Sequence, residues 1–222
     1  FTDDPMAVLA DLLADLELAG GRIGIEKAYL PAGDFERLCA RLPKAQFVAA
    51  DALFDTLRQI KTPEEIALLR RLSRISDTAI TAAFDAVGPG SSEMDIASAL
   101  TRSVYEQGAE HFKLMIVATG PRSELPNVGP SERILEPGDI CRVEIFSIIG
   151  GYHAGVCRTA SVGDAPPDAV RIWENLVACK YRVIDAIKPG ASDKHFSLSG
   201  CANQTDLGSR WRINAFRLTI PH

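Results

Sequence analysis

Two apolar, β-branched runs meeting at a glycine pair constrain this chain more than any other feature. Ile140–Ile149 and Tyr152–Val162 flank Gly150-Gly151. Short β-prone runs joined by two glycines predict a hairpin. The first run carries a single carboxylate, Glu144, and the second carries His153 and Arg158. The loop before it holds Leu125-Pro126-Asn127, so the whole stretch from Leu125 to Thr159 has the layout of a hairpin bearing an active site.

Helical and extended segments alternate ahead of it. Met6–Leu18 has apolar residues at helical spacing and stops at Gly20-Gly21. Arg22–Ile25 and Gln46–Ala49 read as short strands, with a helix over Pro31–Leu42 between them. A linker is expected next. Thr62-Pro63-Glu64-Glu65 then starts a long helix, with a capping threonine, a first-turn proline and a glutamate that can close a capping box. It stops at Gly88-Pro89-Gly90, and Ser92-x-x-Asp95 caps the next helix, which runs to about Gln107. Leu114–Thr119 is strand-like, Gly120–Arg133 is loop, and Glu136-Pro137-Gly138-Asp139 is a turn. Pro166–Ile187 is a further long helix, with Val170, Trp173, Leu176, Val177, Val183, Ile184 and Ile187 on its apolar side.

An internal echo joins two of these helix ends. FDAVGPGSS at Phe84–Ser92 returns as DAIKPGAS at Asp185–Ser192, which suggests the two halves of a duplicated domain. The second copy is not followed by a helical pattern. Ser197–Arg210 has interior glycines and no apolar period, so an irregular tail is expected. The boundaries expected are 1–57 for a small α/β domain, 58–192 for half of a larger one, and 193–222 for an aberrant tail.

Charge and composition narrow the functional classes. A net charge of −5 argues against a nucleic-acid surface. No run of eighteen apolar residues predicts a membrane span, and the acidic start lacks the basic region of a signal peptide. Five scattered cysteines without a C-x-x-C pair point to reduced thiols in a cytoplasmic protein rather than a zinc knuckle.

The candidate chemistry lies on the hairpin. Glu144 sits among Val143, Ile145 and Phe146, and a carboxylate in such surroundings needs a cation, a metal or a proton. It can act on substrate or pair internally with Arg142 or Arg158. His153 can serve as a general base or be structural. Arg158-Thr159 can clamp a substrate carboxylate, and Asn127 is a turn former or a substrate contact. Phosphate loops, nucleophile elbows and H-E-x-x-H motifs are absent from the sequence.

Three stretches in order, IKTPEEIALLRRLSRISDTAI, VATGPRSELPNVGPSERILEPGD and VEIFSIIGGYHAGVCRTASVG, resemble the creatinase/aminopeptidase P/methionine aminopeptidase superfamily, the M24 or pita-bread group. The resemblance covers Arg58–Gly190, and Arg22–Asp55 looks like the tail of that group's creatinase-like N-terminal domain. It implies an α/β (α+β) fold: an incomplete pita-bread domain preceded by the remnant of a small α/β domain. It also implies a homodimer acting on a small molecule or short peptide. The peptidases of this group hold two divalent metals, beginning with two aspartates on this hairpin. Here the first aligns with Glu144 and the second with Gly155, while a histidine before the hairpin aligns with Asn127. By ligand count, no metal or other cofactor is expected.

The leading functional expectation is therefore a metal-independent C–N hydrolase similar to creatinase or ectoine hydrolase. Glu144 and His153 are its catalytic candidates, and Asn127, Tyr152, Arg158 and Thr159 its substrate-binding candidates. A non-catalytic binding or dimerisation module is the alternative, and a metal-dependent Xaa-Pro peptidase comes third. The chain is also expected to be a truncated or frameshifted product, marginally stable and inactive by itself.

Overall fold

A computed structural model describes residues 4–188, Gly190 and the backbone of Leu218–Thr219. The chain divides into two units, Phe1–Glu64 and Glu65–His222.

In the first unit, α1 (Pro5–Asp15), β1 (Arg22–Ile25), α2 (Ala32–Arg41), β2 (Gln46–Ala49) and α3 (Asp51–Gln59) follow in order. Asp4 caps α1 by accepting the Met6 amide at 3.0 Å, and Pro5 supplies a φ already suited to the first turn. β1 and β2 pair in parallel, from Arg22–Gln46 to Ile25–Ala49. Ala10, Leu38 and Leu42 form a small core with Met6, Leu9, Leu13 and Phe47 around it. The segment expected as a linker is largely helical. The Asp51 carboxylate accepts the Lys27 and Ala28 amides at 3.2 and 3.0 Å, which ties the start of α3 to the chain after β1. The residue before this helix is Ala50, which cannot cap with its side chain, so the usual start signal is missing.

The second unit is a four-stranded sheet backed by helices. Its elements are α4 (Pro63–Asp85), α5 (Glu93–Glu106), β3 (His111–Thr119), a 3-10 turn (Gly120–Glu124), β4 (Ile140–Ile149), β5 (Tyr152–Ser161), α6 (Pro167–Ala186) and β6 (Leu218–Thr219). The strand order is β3-β4-β5-β6. The first two pairings are antiparallel, and β6 pairs in parallel with Thr159–Ala160. β3 begins earlier than the apolar run suggested. A bulge at Leu114, with φ of 54°, carries the ladder on to His111. The Ser92–Asp95 capping box is complete: the Asp95 amide donates to Ser92 Oγ at 3.2 Å and the Ser92 amide to Asp95 Oδ2 at 2.7 Å.

Ile75, Ala79, Ile80 and Ala83 of α4 and Ile96, Leu100 and Val104 of α5 pack on Val117, Val143 and Ile145 of the sheet. Small residues let α4 come close. Ser76 lies 2.8 Å from Ser147, Oγ to Oγ, and donates to the Ala154 carbonyl at 3.2 Å. Such burial, at roughly 25 cal/mol per Å² of apolar surface, is the main favourable term holding helices to sheet. In contrast, α6 has no fully buried residue along its 20 positions. Ser192 and the tail expected at 193–222 lie outside the described residues, apart from the β6 backbone. Among the described residues, no helix is long and apolar enough to cross a membrane.

Candidate functional site

The turn fixes which side chains share a face. Gly150 and Gly151 have φ of 56° and 77°, as a two-residue turn of this hand requires. Ile149 then pairs with Tyr152, Phe146 with Gly155, Glu144 with Cys157 and Arg142 with Thr159. Directly paired residues of an antiparallel ladder point the same way, and successive residues alternate. Val143 and Ile145 face the helices. Arg142, Glu144, Phe146, His153, Gly155, Cys157, Thr159 and Ser161 therefore occupy the opposite face.

This parity separates the expected site residues. Arg158 pairs with Val143 and so faces α4, where its Nη2 meets Asp77 Oδ1 at 2.7 Å. Tyr152 is on that side too, and its hydroxyl donates to Glu65 Oε1 at 2.5 Å. That hydrogen bond, aided by burial, raises the pKa of the phenol and keeps its proton on. Glu144, His153 and Thr159 share the other face. Four positions of β5 separate His153 from Cys157, the partner of Glu144. At a rise of about 3.3 Å per residue this is roughly 13 Å, too far for direct proton exchange between Glu144 and His153. His153 is exposed, and its ring meets Phe146 edge-on at 6.5 Å. Neither suggested ion pair of Glu144 forms among the described residues: Arg158 turns to Asp77, and Arg142 donates to the carbonyls of Leu125 and Pro126, the latter at 3.0 Å.

Arg142 thereby ties down the loop that precedes β4, and Asn127 lies exposed beside that anchor. The same loop has a second, buried anchor, Glu93 at the first turn of α5. Glu93 has no exposed surface. It accepts the Thr119 amide at 2.8 Å, the Thr119 hydroxyl at 2.9 Å, the Ser131 amide at 2.9 Å and the Ser131 hydroxyl at 2.7 Å, and pairs with Arg122. Beside it, Arg133 bridges Thr119 Oγ1 at 2.7 Å and Asp139 Oδ2 at 2.5 Å. Sequence reasoning missed Glu93, Arg142 and Cys157. Only the strand parity marked the last two, and nothing local marked Glu93. The Cys157 thiol is pushed up to about 12, mainly by burial and then by the charge of Glu144, so it stays protonated at neutral pH.

Gly155 shows what this face can hold. A Cβ built there would lie 2.3 Å from Phe146 Cε1 and 2.5 Å from Cζ. The phenyl ring covers the glycine across the ladder and takes the space of a side chain at 155. A second carboxylate beside Glu144 has no room unless the ring moves. Among the described residues, no three His, Cys, Asp or Glu side chains converge to hold an ion.

Comparison with known proteins agrees with this architecture. Residues 67–198 match the model of "Metallopeptidase family M24", and residues 2–60 that of the "Creatinase/Prolidase N-terminal domain". The chain belongs to family M24, with a creatinase-type N-terminal domain. It is 30% identical over 174 residues to "Uncharacterized peptidase YqhT" of Bacillus subtilis, covering 78% of this chain and 49% of that protein. It is also 30% identical over 150 residues to an "Xaa-Pro dipeptidase" of Pyrococcus furiosus, covering 67% of this chain and 43% of the relative. The solved prolidase from Pyrococcus furiosus superposes with a TM-score of 0.72 at 29% identity, covering 80% of this chain and 52% of that one. An Xaa-Pro dipeptidase from Bacillus anthracis gives 0.77 at 26%, covering 89% and 55%. The chain spans about half the length of the relatives it matches. The family's description implies metal. The residues of this hairpin do not fit a metal pair, because hard divalent ions need several oxygen ligands at once and the strands offer Glu144 alone.

Proposed function

We propose that this chain contributes the substrate-facing hairpin of an M24 hydrolase that cleaves a C–N bond in a small polar substrate or short peptide, without a dinuclear metal site on that hairpin. The observation carrying this reading is the Phe146 ring over Gly155, next to the lone carboxylate of Glu144. Glu144 is the proton-transfer group: it takes a proton from the attacking water and returns one to the leaving nitrogen. His153 stands at the turn end of the same face and acts on a different part of the substrate. Thr159 and Asn127 contact the substrate from the other end. Tyr152 and Arg158 are positioning residues, holding β5 against Glu65 and Asp77 of α4. Assembly as a homodimer is part of the same proposal, and sedimentation velocity reads it.

A second reading, a metal-dependent Xaa-Pro dipeptidase, is favoured by the family description and by the names of the relatives. One experiment separates the two. The protein is assayed on Xaa-Pro dipeptides, creatine and ectoine before and after chelation, with bound metal counted by elemental analysis. Chelator-insensitive turnover lost in Glu144→Gln and His153→Ala supports the first reading. Stoichiometric bound metal whose removal abolishes turnover establishes the second.

A further inference from the structure

We propose that Arg142, Thr159 and Ser161 form a carboxylate-binding subsite on the face that carries Glu144. This deepens the hydrolase reading and rests on it for the identity of the occupant as substrate. Arg142 is 6% exposed, Thr159 6% and Ser161 5%, and Arg142 Nε, Thr159 Oγ1 and Ser161 Oγ are all buried without a hydrogen-bond partner among the described residues. Arg142 and Thr159 are directly paired, and Ser161, paired with Ile140, is the next residue of β5 on that face. Buried polar atoms almost always find partners, and each that does not costs stability. Here three lie on neighbouring positions of one face.

The donors specify its charge. The guanidinium is buried against two neutral carbonyls, those of Leu125 and Pro126, and no ion pair of Arg142 forms among the described residues. Two hydroxyls beside it complete a set suited to carboxylate oxygens. Glu144 lies two residues along the same strand, about 7 Å away by strand rise. Its negative charge opposes a dianion such as phosphate and favours a monoanion whose other end is neutral or cationic. Cys157, between them, adds no charge because its thiol stays protonated. The expected ligand is a small molecule with a carboxylate at Arg142 and an amide, imino or amino nitrogen toward Glu144. The arginine that sequence alone put in this role, Arg158, is on the far side of the sheet with Asp77.

The test uses the full chain, nitrogen-15 labelled, titrated with alanyl-proline and separately with alanyl-prolinamide, which lacks the carboxylate. The Arg142 Nε–H resonance is identified by its loss in Arg142→Lys. The expected result is a saturable shift of that resonance with the dipeptide and binding of the amide at least ~10-fold weaker, since a charge-assisted hydrogen bond is lost. Arg142→Lys also releases the 125–126 loop contact, so the deciding variant is Thr159→Val/Ser161→Ala, which leaves that contact alone. Loss of the dipeptide–amide difference in this variant supports the subsite. Equal binding of the two ligands by the parent chain, no shift at Arg142 Nε–H, or full discrimination in the double variant overturns it. Turnover is recorded separately. Discrimination without hydrolysis leaves the subsite standing and removes only the reading of this chain as a hydrolase by itself, whereas hydrolysis without discrimination removes the subsite alone.

Discussion

Truncating Glu93 to alanine tests whether one buried carboxylate holds the loop over the candidate site. Glu93 is fully buried and takes two donors from Thr119, two from Ser131 and the guanidinium of Arg122. In the alanine variant the orphaned groups do not suffer equally. Thr119 has no exposed surface, so its amide and its hydroxyl proton lose their acceptor where water does not reach, at about 1–3 kcal/mol each. Ser131 is only partly buried and the Arg122 side chain is 25% exposed, so both rehydrate at lower cost. The sum, about 3–5 kcal/mol, matches the usual cost of removing one partner from a buried ion pair. In urea, with a slope of about 2–3 kcal/mol per molar for a unit of this size, the midpoint falls by roughly 1–2 M. Amide exchange should accelerate most over residues 119–131, because that segment loses its anchor while the α4–α5 core is untouched. A loss below about 1 kcal/mol, or exchange that rises equally throughout, would refute the assignment of Glu93 as the anchor.

Other perturbations follow from the same geometry. Gly155→Asp should cost about 1–3 kcal/mol through its clash with Phe146, and adding Phe146→Ala should recover part of that loss in a double-mutant cycle read by urea midpoints. Arg158→Gln should cost about 1 kcal/mol or less in urea unfolding, because its partner Asp77 is 45% exposed. Cys157 should resist iodoacetamide at pH 8, with slow alkylation seen by mass spectrometry until the protein is unfolded. Asp139 bears on acid stability. Burial pushes its pKa up, but the Arg133 hydrogen bond and the Glu136 amide outweigh burial and hold it below the ordinary carboxylate value. Stability from Asp139 is then complete above about pH 4 and lost as pH falls through its lowered folded pKa, so Asp139→Asn should flatten the urea-midpoint profile in that acidic range.

What the sequence disclosed, and what it withheld, divides by the range of the interaction. The capping box at Ser92–Asp95, the strands at Arg22–Ile25 and Gln46–Ala49 and the limits of β4 were legible because three or four neighbouring residues decide them. The α3 helix was missed because Asp51 is fixed by amides more than twenty residues away. Glu93 looked like an ordinary first-turn glutamate, since its donors arrive from β3 and from the loop after it.

The division of the candidate residues between two faces was hidden for a different reason. Tyr152-His153 and Arg158-Thr159 are adjacent in sequence, and adjacency invited grouping them as one set. In a strand, adjacency is the one relation that guarantees opposite faces. Once Gly150-Gly151 sets the turn, Glu144 falls opposite Cys157, so Arg158 must lie behind the sheet and Thr159 in front. The same parity puts Arg142 in front, beside Thr159, where its buried charge meets the carbonyls of Leu125 and Pro126. A chain with Gly155 under Phe146 then has one carboxylate and one arginine two residues apart on a single strand face. The proposed substrate, with opposite polarity at its two ends, follows from that arrangement.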